Sequence, residues 1–248
     1  MAPAPVSEKS TIDRLRPLPF PRWVRSGVSF ASGFAPRSTA RVVRRLFFTP
    51  PPSRPRPEQA KVLARGRRFD LSTSHGRAAG WAWGDGDPVF LVHGWGGQAG
   101  QLTPFVEPIV EAGLRAIAID VPGHGSAAGG ESSIFHFAAA IEAAGDLFGP
   151  SAGIVAHSFG AAASTLALSR GARAGRAVFI APPVSFETFV GRMRHALGFS
   201  PAVEQRFREL AEERLRVRFE LFEPRRFAAE LEVPLLILHD PADDEVPF

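Results

Sequence analysis

The sequence has 248 residues and an apolar content of 45%, which suits one domain with extensions and a sizeable core. It contains no cysteine, which excludes disulfides, thiolate metal sites and a cysteine nucleophile. The net charge of +4 hides an asymmetry: residues 1–68 hold 15 Lys/Arg against 3 Asp/Glu, and residues 69–248 hold 14 against 22. Two readings fit the basic arm. It lies solvated against its own acidic domain, the commoner arrangement, or it makes a weak contact with an anionic membrane surface. No specific nucleic-acid partner is predicted.

Residues 1–57 carry 11 of the 23 prolines. Pro17, Pro19 and Pro21 punctuate one stretch, and Pro50-Pro51-Pro52 with Pro55 and Pro57 another, so both are expected to be extended. Between them Ser38 is expected to cap a short helix through Phe48, and a second helix is expected from Pro57 to near Gly66. The arm lacks the basic-then-apolar order of a secretory signal, and a cytoplasmic location is the expectation, with the arm as the only candidate for membrane association. The longest uncharged run, Leu147 to Ser169, is interrupted by Gly149-Pro150, Gly153 and Gly160. It reads as a buried strand, a turn and a helix rather than a membrane span.

From Arg67 onward, apolar runs alternate with helical stretches, the pattern of a mostly parallel sheet with helices on both faces. Strands are predicted at Phe69–Thr73, Ala79–Trp83, Pro88–His93, Arg115–Asp120, Gly153–His157, Ala177–Ala181 and Val233–His239. Helices are predicted at about Leu102–Ala112, Ser133–Phe148 and Phe159–Ser169. The segment 182–227 places Phe207, Leu210, Leu215, Phe219 and Phe222 at helical spacing with Arg and Glu opposite. It reads as an amphipathic surface helix or, more sharply, as a lid inserted after the sixth strand.

The chemistry concentrates at Gly153-Ile154-Val155-Ala156-His157-Ser158-Phe159-Gly160, where a strand runs through small-X-Ser-X-small into a helix. A serine hydroxyl is a weak nucleophile unless held beside a base. A tight strand-to-helix turn holds it, and crowding there requires small residues at Ala156 and Gly160. The helix N-terminus adds partial positive charge, and the N–H of Phe159 is placed to meet a developing oxyanion.

This turn resembles the nucleophile elbow of the α/β-hydrolase superfamily, departing from it in Ala156, where the family's first glycine would stand. Three further motifs follow the family's order. His93-Gly94-Trp95-Gly96-Gly97 is similar to its oxyanion loop, which implies the N–H of Trp95 as a second donor. Asp120-Val121-Pro122-Gly123-His124-Gly125 is similar to a structural loop of one branch, so His124, like His93, is given no catalytic role. His239-Asp240-Pro241-Ala242-Asp243-Asp244-Glu245-Val246-Pro247 resembles the segment bearing the triad acid. Asp243 holds that position, with Asp240 and Asp244 as rivals, and a buried carboxylate is expected there.

The resemblance covers residues 67–248. It implies a doubly wound α/β fold, a domain boundary near residue 66, a lid at 182–227, and a serine hydrolase of the esterase or lipase kind. The implied substrate is a small acyl ester with an apolar acyl or aromatic group, and no cofactor or metal is implied. The triad order of this fold is Ser, acid, His, yet no histidine follows Asp243 in the sequence. His157, His195 and His239 are the nearest candidates in the chain, and none is assigned the role. A chain truncated before its last strand, helix and catalytic histidine is therefore the expectation. A subunit completed by another chain and a non-catalytic binding protein are the alternatives.

Overall fold

An apolar run without alternation, such as Pro88–Val92, has no side to offer water and needs cover on both faces. The computed structural model, which describes residues 18, 20–218 and 223–247, places that run at the centre of a seven-stranded sheet. In chain order the elements are α1 (Arg22–Phe34), α2 (Pro36–Phe48), α3 (Pro57–Leu63), β1 (Arg67–Thr73), β2 (Gly76–Trp83) and β3 (Pro88–Val92). There follow a 3-10 turn (Ala99–Phe105), α4 (Val106–Glu111), β4 (Arg115–Asp120), α5 (Ile134–Phe148), β5 (Gly153–His157) and α6 (Phe159–Ser169). Last come β6 (Ala177–Ile180), α7 (Phe186–Leu197), α8 (Pro201–Leu215), α9 (Pro224–Ala228) and β7 (Leu235–Leu238).

The chain forms two units. One comprises Phe48–Pro183 with Phe227–His239, and the other the described parts of Met1–Phe47, Val184–Arg226 and Asp240–Phe248. In the first, the strand order is β1-β2-β4-β3-β5-β6-β7. The β1–β2 and β2–β4 pairs are antiparallel and the remaining four parallel. One face is covered by α5 and α6, whose alanines at 138–140, 144, 161–163 and 167 are buried and let the two helices approach closely. On the other face Leu63, Trp81, Leu91, Leu102, Val106 and Ala118 share one apolar cluster. Residues 48–66 pack with this sheet unit: Leu63 is in its core, and the Gln98 side-chain amide donates to Gln59 at 3.1 Å. The far edge differs, since all four residues of β7 are exposed.

The second unit is helical. Val190, Met193, Leu197, Val203, Phe207 and Ala211 are buried within it. The ring of Phe47 lies 5.4 Å from that of Phe189 and 5.1 Å from that of Phe207. Arg208 bridges helices by donating to both carboxylate oxygens of Glu187 and to Glu204, at 2.6 to 2.9 Å, which holds its guanidinium well above its ordinary range.

Two sequence expectations change here. The helix expected to be capped by Ser38 starts at Pro36, so Ser38 lies inside it. Residues 22–34, given no element by the sequence, form a helix directly after Pro21, which sits at the N-cap, outside the turn whose N–H groups a proline would remove. The segment 182–227 is not one amphipathic helix. Gly198, at φ 66°, ends α7, and the Ser200 hydroxyl with Pro201 starts α8. Phe207 points into its own unit, while Phe219 and Phe222 lie outside the described residues, as do Pro17 and Pro19.

Candidate active site

β5 ends at His157 and α6 begins at Phe159, so one residue makes the whole reversal. Ser158 makes it at φ 50° and ψ −123°, a conformation that costs a side-chain-bearing residue free energy and persists only where surroundings impose it. The surroundings are visible. The Ser158 N–H donates to the carbonyl of Ile180 at 2.8 Å, and its own carbonyl accepts from Ala161 at 2.8 Å. Ala156 is fully buried beneath the turn. At Gly160 a Cβ would overlap the carbonyl oxygen of His93 and lie 2.8 Å from that of Val92, so α6 rests directly on the end of β3. The small residue expected at 160 is thus required by backbone contact, and the one at 156 is fully buried. Ser158 itself is half-buried, reachable from solvent.

The loop after β3 passes over this turn. A Cβ on Gly94 would lie 3.1 Å from the Ser158 Cβ and 3.3 Å from the His157 carbonyl oxygen. The Gly97 N–H donates to the Gly94 carbonyl at 3.0 Å, with Gly96 at φ 67° inside the turn, where a side chain would be strained. Gly97 has no room for a side chain beside Gln101 and the Gly94 carbonyl. Trp95 and Phe159 follow their respective turns side by side, ring centroids 5.2 Å apart. The two residues expected to supply oxyanion donors are therefore brought together with Ser158.

Beneath them sits a buried polar and aromatic layer. His93 donates from Nδ1 to the Gly94 carbonyl at 2.7 Å and accepts at Nε2 from the Val121 N–H at 3.4 Å. Accepting at Nε2 requires the neutral ring, with its proton on Nδ1. Burial pushes its pKa down to about 4, against the opposing pull of the Gly94 carbonyl and with help from His157. His124 packs 5.1 Å from His93, 5.2 Å from Trp95 and 5.0 Å from Phe137. Burial, then His93, lowers its pKa to about 3, and its buried Nε2 has no hydrogen-bond partner among the described residues. The Asp120 carboxylate accepts from Ala99 N–H at 2.6 Å and Ser126 N–H at 2.7 Å, tying two loops together. Burial raises its pKa, opposed by those N–H groups. Both histidines are occupied as braces in the same layer. The Asp120 tie was not read from the sequence, because one partner lies 21 residues upstream.

Asp243 belongs to the other unit. It is half-buried rather than buried, and its Oδ1 accepts the N–H groups of Glu245 at 2.8 Å and Val246 at 2.9 Å. Asp240 caps the same loop by accepting from Ala242 at 2.8 Å, and Asp244 is exposed. Arg192 donates to the Glu245 carbonyl at 2.5 Å. Burial lowers the Arg192 pKa against the opposing carboxylates of Glu245, Asp244 and Asp243. His157 and His195 are exposed and His239 is half-buried. Among the described residues no three His, Asp or Glu side chains gather as metal ligands. An apolar hollow lined by Val89, Leu114, Ala152, Ile154, Val155 and Val178 lies toward the starts of β3, β5 and β6, the end of the sheet away from Ser158.

An esterase from Pyrococcus furiosus shares 17% identity with the chain at a TM-score of 0.56, covering 77% of this chain and 75% of that one. A naproxen esterase (carboxylesterase NP) from Bacillus subtilis shares 19% at 0.45, covering 60% and 62%, and an epoxide hydrolase from Vigna radiata 23% at 0.45, covering 49% and 42%. At such identities the likeness to the first shows a common fold. No curated protein matches the chain in sequence. Residues 89–246, which run from β3 past Asp243, match the family model described as Alpha/beta hydrolase family. With its mostly parallel sheet, its helices on both faces and that match over more than half its length, the chain belongs to the Alpha/beta hydrolase family.

Proposed function

We propose that the protein is a serine hydrolase acting on a carboxylic ester or related acyl substrate. The observation that carries this reading is the conformation of Ser158: a positive φ imposed on a serine between β5 and α6, with the Gly94 backbone alongside. Strain of this kind is kept where it aims a reacting group. In this mechanism the Ser158 Oγ bonds to the acyl carbon and its proton passes to a base. The resulting oxyanion accepts hydrogen bonds from the N–H groups of Trp95 and Phe159. Collapse expels the alcohol, which takes up the proton, and water then releases the acid and restores Ser158. Asp243 is assigned to orienting the base, a histidine in the usual order of such triads. The buried positions of His93 and His124, and the hydrogen bonds that His93 makes to Gly94 and Val121, support leaving both out of that role. The aromatic rings of Trp95 and Phe159 favour an apolar acyl or aryl group at the site.

The test is hydrolysis of a p-nitrophenyl ester and labelling by a fluorophosphonate, using the protein isolated from its own source and its Ser158→Ala variant. The variant is expected to lose labelling and at least a thousandfold in kcat with its melting temperature retained. Unchanged turnover would sink the reading. A second reading, a ligand-binding protein without turnover, is weighed beside it because a fold does not by itself carry an activity. Binding of an acyl ester that survives Ser158→Ala, with no labelling of either protein, would establish it instead.

A further inference from the structure

Helix α1 carries two different sides. Val28 and Ser32 are buried, and the side chains of Arg25 and Ser29 lie closest to Gly198 at the end of α7, so this side holds the helix on its own unit. Trp23, Phe30 and Phe34 are spaced i, i+7, i+11 and therefore share another face. They are exposed to 76%, 72% and 78%, and the rings of Phe30 and Phe34 touch at 5.0 Å. Three large aromatic side chains in one exposed row are not needed to hold α1, and they are the most exposed large apolar residues described.

The sequence around the row is one-sided in charge. Arg37, Arg41 and Arg45 are spaced four apart on α2 and all are exposed. Residues 18–57 contain eight arginines and no Asp or Glu. A second copy of this surface would bring like charges together. A nucleic acid would engage the arginines through phosphate, but rings already packed against one another are poorly splayed for base stacking. An anionic lipid surface meets both features: aromatic rings settle at the level of the headgroups and acyl boundary, and arginines reach the phosphates and carboxylates. Among the described residues no helix is long and apolar enough to cross a membrane, and a helix of 13 residues lying in the interface plane does not need to be.

We infer that α1 and α2 form a docking surface for an anionic membrane, with Trp23, Phe30 and Phe34 inserted among the lipids and Arg37, Arg41 and Arg45 contacting headgroups. The inference is independent of the role of Ser158. The full chain is tested by flotation with vesicles of phosphatidylcholine containing about 30% phosphatidylserine, and with phosphatidylcholine alone. Binding is expected to the first, with weakening as salt rises and a blue shift of tryptophan emission that Trp23→Phe removes. Replacing Trp23, Phe30 and Phe34 together by serine is expected to cut partitioning at least tenfold. Reversing Arg37, Arg41 and Arg45 to glutamate is expected to cut it by more than about a hundredfold, since loss of each cation near such a leaflet costs roughly fivefold and the new carboxylates add repulsion. All six side chains are exposed, so circular dichroism and the melting temperature are expected to hold. No binding to either vesicle, binding that both variants retain, or binding to duplex DNA but not to vesicles would each overturn the inference.

Discussion

The turn at Ser158 and the loop at Asp243 carry the two candidate catalytic groups, and they are held by opposite means. Ser158 is fixed from a distance. Its N–H is held by Ile180 from the next strand, Gly160 beside it touches the end of β3, and the layer of His93, Asp120, His124 and Phe137 joins loops that are far apart in sequence. The Asp243 carboxylate is tied to its own loop: its Oδ1 accepts the backbone N–H groups of Glu245 and Val246, two and three residues on. The first region cannot change without moving strands. The second is a self-capped turn of the kind acidic residues form unaided. Damage to the first is expected to cost the fold, and damage to the second only local order.

The largest effect is expected at Gly160. A valine there would drive carbon into the His93 and Val92 carbonyls, backbone atoms in a central strand that cannot yield. Gly160→Val is expected to cost about 5 kcal/mol or more and to leave little soluble protein, measured by urea denaturation and by the soluble fraction on expression. Gly145 is the matched control within α5, because nothing lies within 4 Å of a Cβ placed there. Gly145→Ala is expected to stabilise by about 0.5 to 1 kcal/mol. Equal behaviour of the two variants would remove the close contact between α6 and β3 from the account.

Asp120→Ala comes next. It leaves the buried N–H of Ala99 without an acceptor and breaks the part-buried bond from the Ser126 N–H, at about 3 kcal/mol for the pair. A smaller loss, near that of an exposed substitution, would show that the two loops hold without the carboxylate.

The histidine layer gives a dependence on pH. His93 has an ordinary pKa of 6.5 and one of about 4 in the fold. The folded state therefore favours the neutral ring, and its advantage is complete above pH 6.5. As pH falls below that value the unfolded chain takes up a proton the folded chain refuses, until the folded ring also protonates near pH 4. About 3 kcal/mol of stability is expected to disappear across this window, read as a falling melting temperature. His124→Phe removes a second buried ring that resists protonation, together with its unpartnered Nε2. It is expected to change stability by less than about 1 kcal/mol at neutral pH and to flatten the acid loss.

The same contrast explains what the sequence made legible. Strands β3, β4 and β5 and helices α5 and α6 fall within a residue or so of their expected bounds, because continuous apolar runs and the Ser133 start mark them locally. The glycines at 94, 96, 97 and 160 were legible as a pattern of small residues, and backbone crowding is what that pattern records. What escaped depends on contacts between distant residues or on a misread terminus. The Asp120 tie reaches back to Ala99. Phe207 looks like a lid residue in a linear pattern, and only its packing with Phe47 shows that it is core. Pro21 suggests an extended arm unless it is recognised as a helix start. The carboxylate at 243 carries no sequence mark of its exposure.

Asp243 gives the smallest structural effect and the sharpest division between roles. Its Oδ1 receives two N–H groups while the side chain stays half-exposed, so Asp243→Ala is expected to cost only about 1 kcal/mol. In Asp243→Asn the amide oxygen still accepts both bonds, and stability is expected to change by less than about 0.5 kcal/mol. If the residue does no more than close its own loop, the asparagine variant of the protein from its own source turns over esters as the parent does. If it orients a base for Ser158, the amide reproduces the shape but not the charge, and kcat falls by roughly ten-thousandfold with KM nearly unchanged. A fall in kcat with unaltered urea denaturation assigns Asp243 to chemistry. A fall in stability that tracks the fall in activity assigns it to the loop alone.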